Sequence, residues 1–278
     1  MIADVHLGTP RARARELADY LAAISPQTLV IAGDLIELAA LPRGLPEEHL
    51  AVIRQLFDLA HDGTRVYVLT GNHDAALGRF GDLALGNMHV RRELELHLDG
   101  HRYFFCHGDR LESAVRLGLA PTRLDAPAER AIAWADRQWN RLLRASGRRA
   151  RSLARELRGG SAEAAELLSR YRLAAGRLAA ERGCDTVVCA HVQRPEMADL
   201  AIGAAGECVR YLNPGDWVSH MTALEYRWGE WRLRRYDADD SPPRNARLRA
   251  PAPTHQRRAT RSLLEQIVAG GPTYRSHE

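Results

Sequence analysis

The sequence lacks lysine altogether, so all 39 basic residues are arginines, which offer planar guanidinium groups suited to phosphate. With 35 acidic residues the formal net charge is +4. The basic excess is uneven, because residues 130–158 contain nine arginines and only two acids, Asp136 and Glu156. This segment is therefore a candidate contact with an anionic surface.

The sequence also lacks any apolar stretch near the roughly 20 residues that a membrane-spanning helix requires. Its first residues, MIADVHLG, show no basic segment followed by an apolar one, the pattern of a secretory signal. We therefore expect a globular protein in the cytoplasm. Cysteine is scarce, and the four cysteines show no CxxC spacing, so we expect reduced thiols that pack in the core.

The first third of the chain alternates predicted strands with predicted helices. Short β-branched segments and segments with apolar residues at helical spacing follow one another, namely strands at 28–34 and 65–74 and helices at 11–24 and 46–61. This βαβα order predicts a mainly parallel sheet whose chemistry gathers at the carboxyl ends of its strands. Only three residues precede Asp4, so either the first strand is shortened or the chain starts upstream of the printed sequence.

Later segments add antiparallel strands and a helical insertion. The turns Asp99-Gly100 and Gly229-Glu230 each separate two alternating segments, which predicts two hairpins and an α/β fold with α+β character. Residues 112–182 show helical periodicity only, which we interpret as an insertion within a single domain that spans residues 1–237. The tail, residues 238–278, is rich in arginine and proline and is expected to be disordered.

Polar side chains follow five successive predicted strands. Side chains that follow neighbouring strands can meet at one edge of a sheet. The residues in these positions are Asp4 and His6, Asp34, Asn72-His73-Asp74, His107, and His191. Five successive strands that each end in a possible metal ligand are not expected by chance. Oxygen donors mixed with imidazole nitrogens favour manganese, iron, zinc or cobalt over calcium or magnesium. One central carboxylate can bridge two such ions about 3.5 to 4 Å apart, a geometry suited to phosphoryl displacement.

These motifs, D-x-H, G-D, G-N-H-D, H-G-D and a final H-x-H-like element, resemble those of the calcineurin-like metallophosphoesterases over residues 1 to about 237. The resemblance implies a two-sheet sandwich flanked by helices and two divalent transition-metal ions, with manganese favoured. It places the first ion on Asp4, His6 and Asp34, and the second on Asp34, Asn72, His107 and His191. Asp34 would bridge them. His73 would stabilise charge on the scissile phosphate or protonate the leaving oxygen, with Asp74 and Asp109 orienting it.

Four features resemble one branch of that family, the UDP-2,3-diacylglucosamine diphosphatases of lipid A synthesis: IADVHLG, HGDRLES, the helical insertion and YLNPGDWVSHMTALEY. That resemblance implies cleavage of a pyrophosphate to UMP and a lipid phosphate. The insertion, near Trp134 and Trp139, would shelter acyl chains and rest on an acidic membrane face. The ordinary alternative is that its apolar stripe contacts the core and its arginines are solvated. His73 departs from the arginine common in that branch, and fits a generic phosphodiesterase or nucleotidase.

The stretch CAHVQRP, residues 189–195, departs from the Gly-His-x-His pattern of the family, because Ala190 and Gln193 replace the glycine and the second histidine. We predict that the amide oxygen of Gln193 still reaches the first ion as a ligand. A neutral amide is a poorer ligand than imidazole for these metals, so we expect this first site to be weakened. A non-catalytic homologue that binds an anion or lipid is the alternative. Nucleic acid is not an expected partner, since no recognition motif accompanies the arginines. Other histidines, including His49 and His220, have no partner spacing and are expected to be ordinary core or surface residues.

Overall fold

The computed structural model describes residues 1–80, 83–118, 153–202 and 207–237. Two sheets and a further hairpin are flanked by helices, which confirms the predicted mixed α/β sandwich. The predicted apolar stripe and membrane contact around Trp134 and Trp139 lie outside the described residues, as does the tail from residue 238. Among the helices that are described, none combines the length and hydrophobicity needed to cross a bilayer.

The first sheet has the strand order β1-β2-β4-β3. Its strands are β1 (Thr28–Ala32), β2 (Arg65–Leu69), β3 (Ala84–Leu85) and β4 (Met88–Arg91). β1, β2 and β4 are parallel, as the βαβα pattern predicts, and α1 (Ala14–Ala23) and α2 (Glu47–His61) cover one face. The chain before α1 does not form a full strand and makes isolated bridges from Ile2 and Leu7.

The second sheet has the strand order β5-β6-β7-β9-β8. Its strands are β5 (Glu93–Leu98), β6 (His101–Cys106), β7 (Thr186–Cys189), β8 (Glu196–Ile202) and β9 (Glu207–Asn213). β6, β7 and β9 are parallel, whereas β5 and β8 pair antiparallel at the two edges. The predicted late hairpin is present as β10 (Thr222–Arg227) and β11 (Glu230–Arg235).

The helices of the predicted insertion that are described pack on the outer face of the second sheet. They are α3 (Asp109–Arg116), α4 (Leu153–Arg158) and α5 (Ala162–Glu181). α5 begins after Ser161, whose hydroxyl accepts the N–H of Ala164 at 3.1 Å, a helix cap that satisfies an otherwise unpaired donor. Tyr171 on α5 is fully buried in this layer. The insertion is therefore tied to the sheet at the ends that flank residues 119–152.

The core between the two sheets brings β1 and β2 against β6 and β7. Val30 and Leu69 pack there with Phe105 and Val188, and Trp231 from β11 closes one side. Burial of such side chains contributes roughly 1.5–3 kcal/mol each. The sandwich therefore holds the carboxyl ends of parallel strands from both sheets in fixed positions, and the polar residues that follow those strands extend from this rigid frame.

Candidate metal centre

The predicted site residues come together where four strands end. β1, β2, β6 and β7 end at Ala32, Leu69, Cys106 and Cys189, each a few residues before a predicted ligand. The strands of the first sheet are thus shorter than predicted. The backbone leaves the strand conformation at several of these ligands and adopts positive φ, between 49° and 66°, at Asp4, His6, Asp34, His191 and Gln193. Such residues are uncommon outside glycine, and each costs about 1–3 kcal/mol that the surrounding fold must offset.

Asp34 lies at the centre of the cluster. Its Oδ2 is 3.3 Å from Nε2 of His107 and 4.0 Å from Nε2 of His6, and its Oδ1 accepts the backbone N–H of His73 at 2.9 Å. Two groups of donor atoms share it, one with His6 and His73 and one with His107 and His191, and the atoms of each group lie within 4.8 Å of one another. A central carboxylate between two donor groups is the arrangement that two neighbouring cations require.

His107 is oriented by the backbone of the first sheet. Its Nδ1–H donates to the carbonyl of Ala32 at 2.9 Å, which leaves Nε2 toward Asp34 and 3.3 Å from Oδ1 of Asn72. Two glycines permit this packing, since a Cβ on Gly33 would lie 2.3 Å from the His107 ring and one on Gly71 would lie 2.2 Å from Asp34. A histidine held at one nitrogen by a carbonyl presents the other to a metal ion.

His191 is oriented by a carboxylate that the motifs did not indicate. Its Nε2 lies 2.5 Å from Oε2 of Glu112, and its Nδ1 lies 3.2 Å from Nε2 of His107. Glu112 is buried and also accepts from Nε of Arg116 at 2.7 Å and from the N–H of Leu153 at 2.9 Å. The one sequence signal for Glu112 is its place in the first turn of the helix that follows the H-G-D motif.

His73 pairs with a second carboxylate that the motifs did not indicate. Its Nδ1 lies 2.5 Å from Oε2 of Glu37, three residues beyond Asp34 in the chain. The neighbouring Asp74 is fully buried, accepts the N–H groups of Leu35 at 2.8 Å and Gly71 at 2.7 Å, and so ties two ligand loops together. Its predicted role in orienting His73 stays a prediction, because these contacts are with backbone.

Electrostatics favour a cation at this site. Burial raises the pKa of Asp4 to about 7, and the pKa of Asp74 to about 6. Burial opposes ionisation of Asp34 too, yet the imidazole of His107 beside it holds the pKa of Asp34 well below its ordinary value. Burial opposes protonation of His107, but the charge and hydrogen bond of Asp34, together with the charges of Asp4 and Asp109, raise the pKa of His107 above its ordinary value. Buried carboxylates are costly without positive charge, and a divalent cation would supply it directly.

The donor atoms at the two predicted metal positions differ in how well they suit a bound ion. At the second position, Asp34, Asn72, His107 and His191 converge with oxygen and nitrogen donors, which suits a transition metal. At the first position, Oδ1 of Asp4 lies 3.8 Å from Nε2 of His6. Gln193 points its Nε2 there, 3.1 Å from Nε2 of His6, while its Oε1 accepts from Arg158 at 3.2 Å. The amide oxygen predicted to reach an ion is thus turned away.

A cleft of about 740 Å³ opens beside His6 and His73. Its walls carry several arginines near the start of α1 and at the end of α4, namely Arg11, Arg13, Arg15 and Arg158. His49 also lines this cleft, is buried, and accepts the N–H of Gly8 on Nδ1 at 2.7 Å. A basic cleft next to a cluster of metal-ligating side chains can hold the phosphates of a substrate.

Comparison with known proteins agrees with this geometry. Residues 1–195 match the family model described as calcineurin-like phosphoesterase. The chain is 32% identical to the UDP-2,3-diacylglucosamine hydrolase of Ralstonia nicotianae, over 89% of this chain and 87% of that protein. It is 26% identical to the hydrolase of that name from Aeromonas salmonicida, over 84% and 91% of the two chains. It is 27% identical to that of Ectopseudomonas mendocina, over 81% and 92%. Since the family model covers well over half of the sequence, the chain belongs to the calcineurin-like phosphoesterases and is a metal-dependent phosphoesterase.

Proposed function

We propose that the chain hydrolyses the pyrophosphate bond of a UDP-linked, acylated sugar of the UDP-2,3-diacylglucosamine type, at a centre of two divalent transition-metal ions. The observation that carries this proposal is the buried Asp34, which two groups of metal-ligating atoms share beside an arginine-lined cleft. The names of the three relatives support the substrate class. Manganese is the favoured ion, with iron, zinc or cobalt as alternatives.

Each metal position is assigned to its own group of ligands. Asp34, Asn72, His107 and His191 would hold the second ion. Asp4, His6 and Asp34 would hold the first, which leaves His73 of the first donor group free for proton transfer. Bound ions would stabilise charge on the phosphate and lower the pKa of the attacking water. The chain's contribution is to fix these ligands, by the carbonyl of Ala32 behind His107 and by Glu112 behind His191.

His73 is the proposed proton donor to the leaving oxygen. Glu37 accepts from its Nδ1, so Nε2 is the nitrogen that can hold a proton and pass it to a substrate. The carboxylate also stabilises the positive imidazolium that a general acid requires. His73 is 40% exposed and lines the cleft, which gives a substrate access to it.

The arginines of the cleft are proposed to bind the phosphates and the nucleotide side of the substrate. Arg11, Arg13 and Arg15 line the cleft near the start of α1, and guanidinium groups match phosphate oxygens. The acyl chains would lie toward the insertion, whose arginine-rich part would contact an acidic membrane surface from the cytoplasm. This arrangement favours a lipid-linked anion over nucleic acid.

A generic phosphodiesterase or nucleotidase is the alternative that His73 favours, because its pairing with Glu37 requires no feature of a lipid substrate. A weakened homologue that binds an anion or lipid without turnover is the alternative that the orientation of Gln193 favours. The two alternatives differ from the main proposal in what is hydrolysed, and one assay separates all three.

The test compares the hydrolysis of three compounds by protein loaded with manganese. UMP release is measured from UDP-2,3-diacylglucosamine and from UDP-N-acetylglucosamine, and nitrophenol release is measured from bis(p-nitrophenyl) phosphate. The proposal expects kcat/KM for the lipid to exceed that for either soluble compound by about a hundredfold or more. Asp34→Asn should abolish turnover, and the exposed Asp58→Asn on α2 is the matched control. Equal rates on the soluble compounds would support the generic enzyme. No turnover of any of the three compounds by metal-loaded protein would exclude both enzymes and leave the binding homologue.

A further inference from the structure

The side-chain amide of Gln193 lies between Arg158 and the first metal position. Its Oε1 accepts from Nη1 of Arg158 at 3.2 Å. Its Nε2 lies 3.4 Å from Oδ1 of Asp4 and 3.1 Å from Nε2 of His6. A guanidinium group has donors and no acceptor, so the Gln193 atom that faces Arg158 must be the oxygen. The NH2 group is thereby directed at two of the residues assigned to the first ion.

The opposite orientation of the amide is unfavourable while Arg158 is in place. Turning Oε1 toward Asp4 and His6 would set the NH2 group against the guanidinium, so two donors would face each other and one hydrogen bond would be lost. It would also withdraw the NH2 group that faces Oδ1 of Asp4 and Nε2 of His6, because an amide oxygen has no proton to donate. The present orientation instead pairs donors with acceptors at both ends of the amide.

We propose that Arg158 holds Gln193 as a hydrogen-bond donor to Asp4 and His6, so that Gln193 is not a metal ligand and the first position binds its ion only weakly. The second position, on Asp34, Asn72, His107 and His191, binds tightly. Arg158 is the last residue of α4, the helix that follows residues 119–152. The position of that helix therefore sets the metal affinity of the first position.

This inference rests on one part of the proposed function, the presence of a metal centre at these residues, and on no particular substrate. The test titrates metal-free protein with manganese chloride by calorimetry and follows the same titration by EPR, where isolated Mn(II) and spin-coupled pairs give different spectra. The unchanged chain should show one tight and one weak class of site. Arg158→Met frees the amide to turn its oxygen to the ion, and should tighten the weak class by about tenfold, equivalent to about 1.4 kcal/mol.

Two further variants make the result specific. Gln193→His introduces an imidazole ligand and should also tighten the weak class, and this variant keeps the proposal testable if Arg158→Met does not fold. Arg177→Met removes an exposed arginine from α5 and should leave both classes unchanged. Two equally tight ions in the unchanged chain would overturn the proposal. So would an unaltered weak class in a folded Arg158→Met. The titration contains no substrate, so failure to hydrolyse the lipid would count against the proposed function alone.

Discussion

Nδ1 of His73 lies 2.5 Å from Oε2 of Glu37, and this contact joins the loop after β2 to the loop after β1. The same loop that supplies Asp34 to the metal centre therefore orients the imidazole that stands beside it. The backbone N–H of His73 reinforces the link, because it donates to Oδ1 of Asp34 at 2.9 Å. This geometry makes Glu37 a candidate positioning residue for the proton transfer that we propose for His73.

Replacing Glu37 by glutamine should slow turnover more than it weakens substrate binding. The variant keeps a hydrogen-bond acceptor but loses the negative charge that stabilises the imidazolium of His73, so we expect kcat to fall by about tenfold to a hundredfold with KM nearly unchanged. Steady-state kinetics, which separate kcat from KM, check this. Glu163→Gln, at an exposed position in the first turn of α5 and outside the cleft, is the control. Equal kcat values in the two variants would contradict the assignment.

Replacing Glu112 by glutamine should weaken metal binding. The carboxylate holds Nε2 of His191, and loss of such an outer partner of a metal-ligating histidine costs about tenfold to a hundredfold in affinity. Competition between the protein and a chelating dye for manganese measures the change without any substrate. Glu166→Gln, exposed on α5, should bind metal like the unchanged chain. A Glu112→Gln protein of unaltered affinity would show that the packing of His191 alone suffices.

His49 should make the fold less stable in mild acid. Burial lowers the pKa of His49 below the ordinary value of 6.5, and its Nδ1 must be unprotonated to accept the N–H of Gly8. The unfolded chain then binds more protons than the folded one between the folded pKa and about 6.5, so stability is full above 6.5 and falls as pH drops through that window. Urea unfolding of metal-free protein at several pH values measures this. His49→Gln should make the free energy of unfolding depend less on pH, and the exposed His61→Gln should not. Equal slopes of unfolding free energy against pH in the two variants would refute the idea.

Asp216 should be a determinant of stability outside the metal centre. The fully buried Asp216 accepts the N–H groups of Val218 at 2.8 Å and of Ser219, and it pairs with Nδ1 of His220 at 2.5 Å. Asp216→Ala leaves these donors unpaired, so we expect a loss of about 2–3 kcal/mol in the free energy of unfolding. Urea titration checks it, with exposed Asp199→Ala as the control; equal midpoints would show that water replaces the carboxylate.

The clustering of the candidate ligands could be predicted because most of them come just after a strand. Asp34 and Asn72 come just after parallel neighbours β1 and β2, and His107 and His191 after parallel neighbours β6 and β7. The carboxyl ends of parallel strands share an edge, so sequence order carries over to proximity. The first segment was less predictable, since Asp4 and His6 adopt left-handed backbone rather than strand geometry.

The residues that orient those ligands could not be predicted in this way. Glu112 reaches His191 across 79 positions and Glu37 reaches His73 across 36, and both carboxylates look like ordinary surface acids in the sequence. Likewise, His49 showed no partner spacing, because its partner is a backbone N–H 41 positions away. Such contacts depend on how loops and helices pack, which has no fixed period along the chain.

The amino-acid sequence by itself determined the family, the fold class and the set of candidate metal ligands, because those depend on motif order and on the periodicity of strands and helices. Only the tertiary structure decided which way each donor atom faces. Gln193 illustrates the difference: its identity predicted a weaker ligand, but the guanidinium of Arg158, 35 positions away, determines that its NH2 group and not its oxygen meets Asp4 and His6. An amide has two chemically opposite ends, and its neighbours in space select between them.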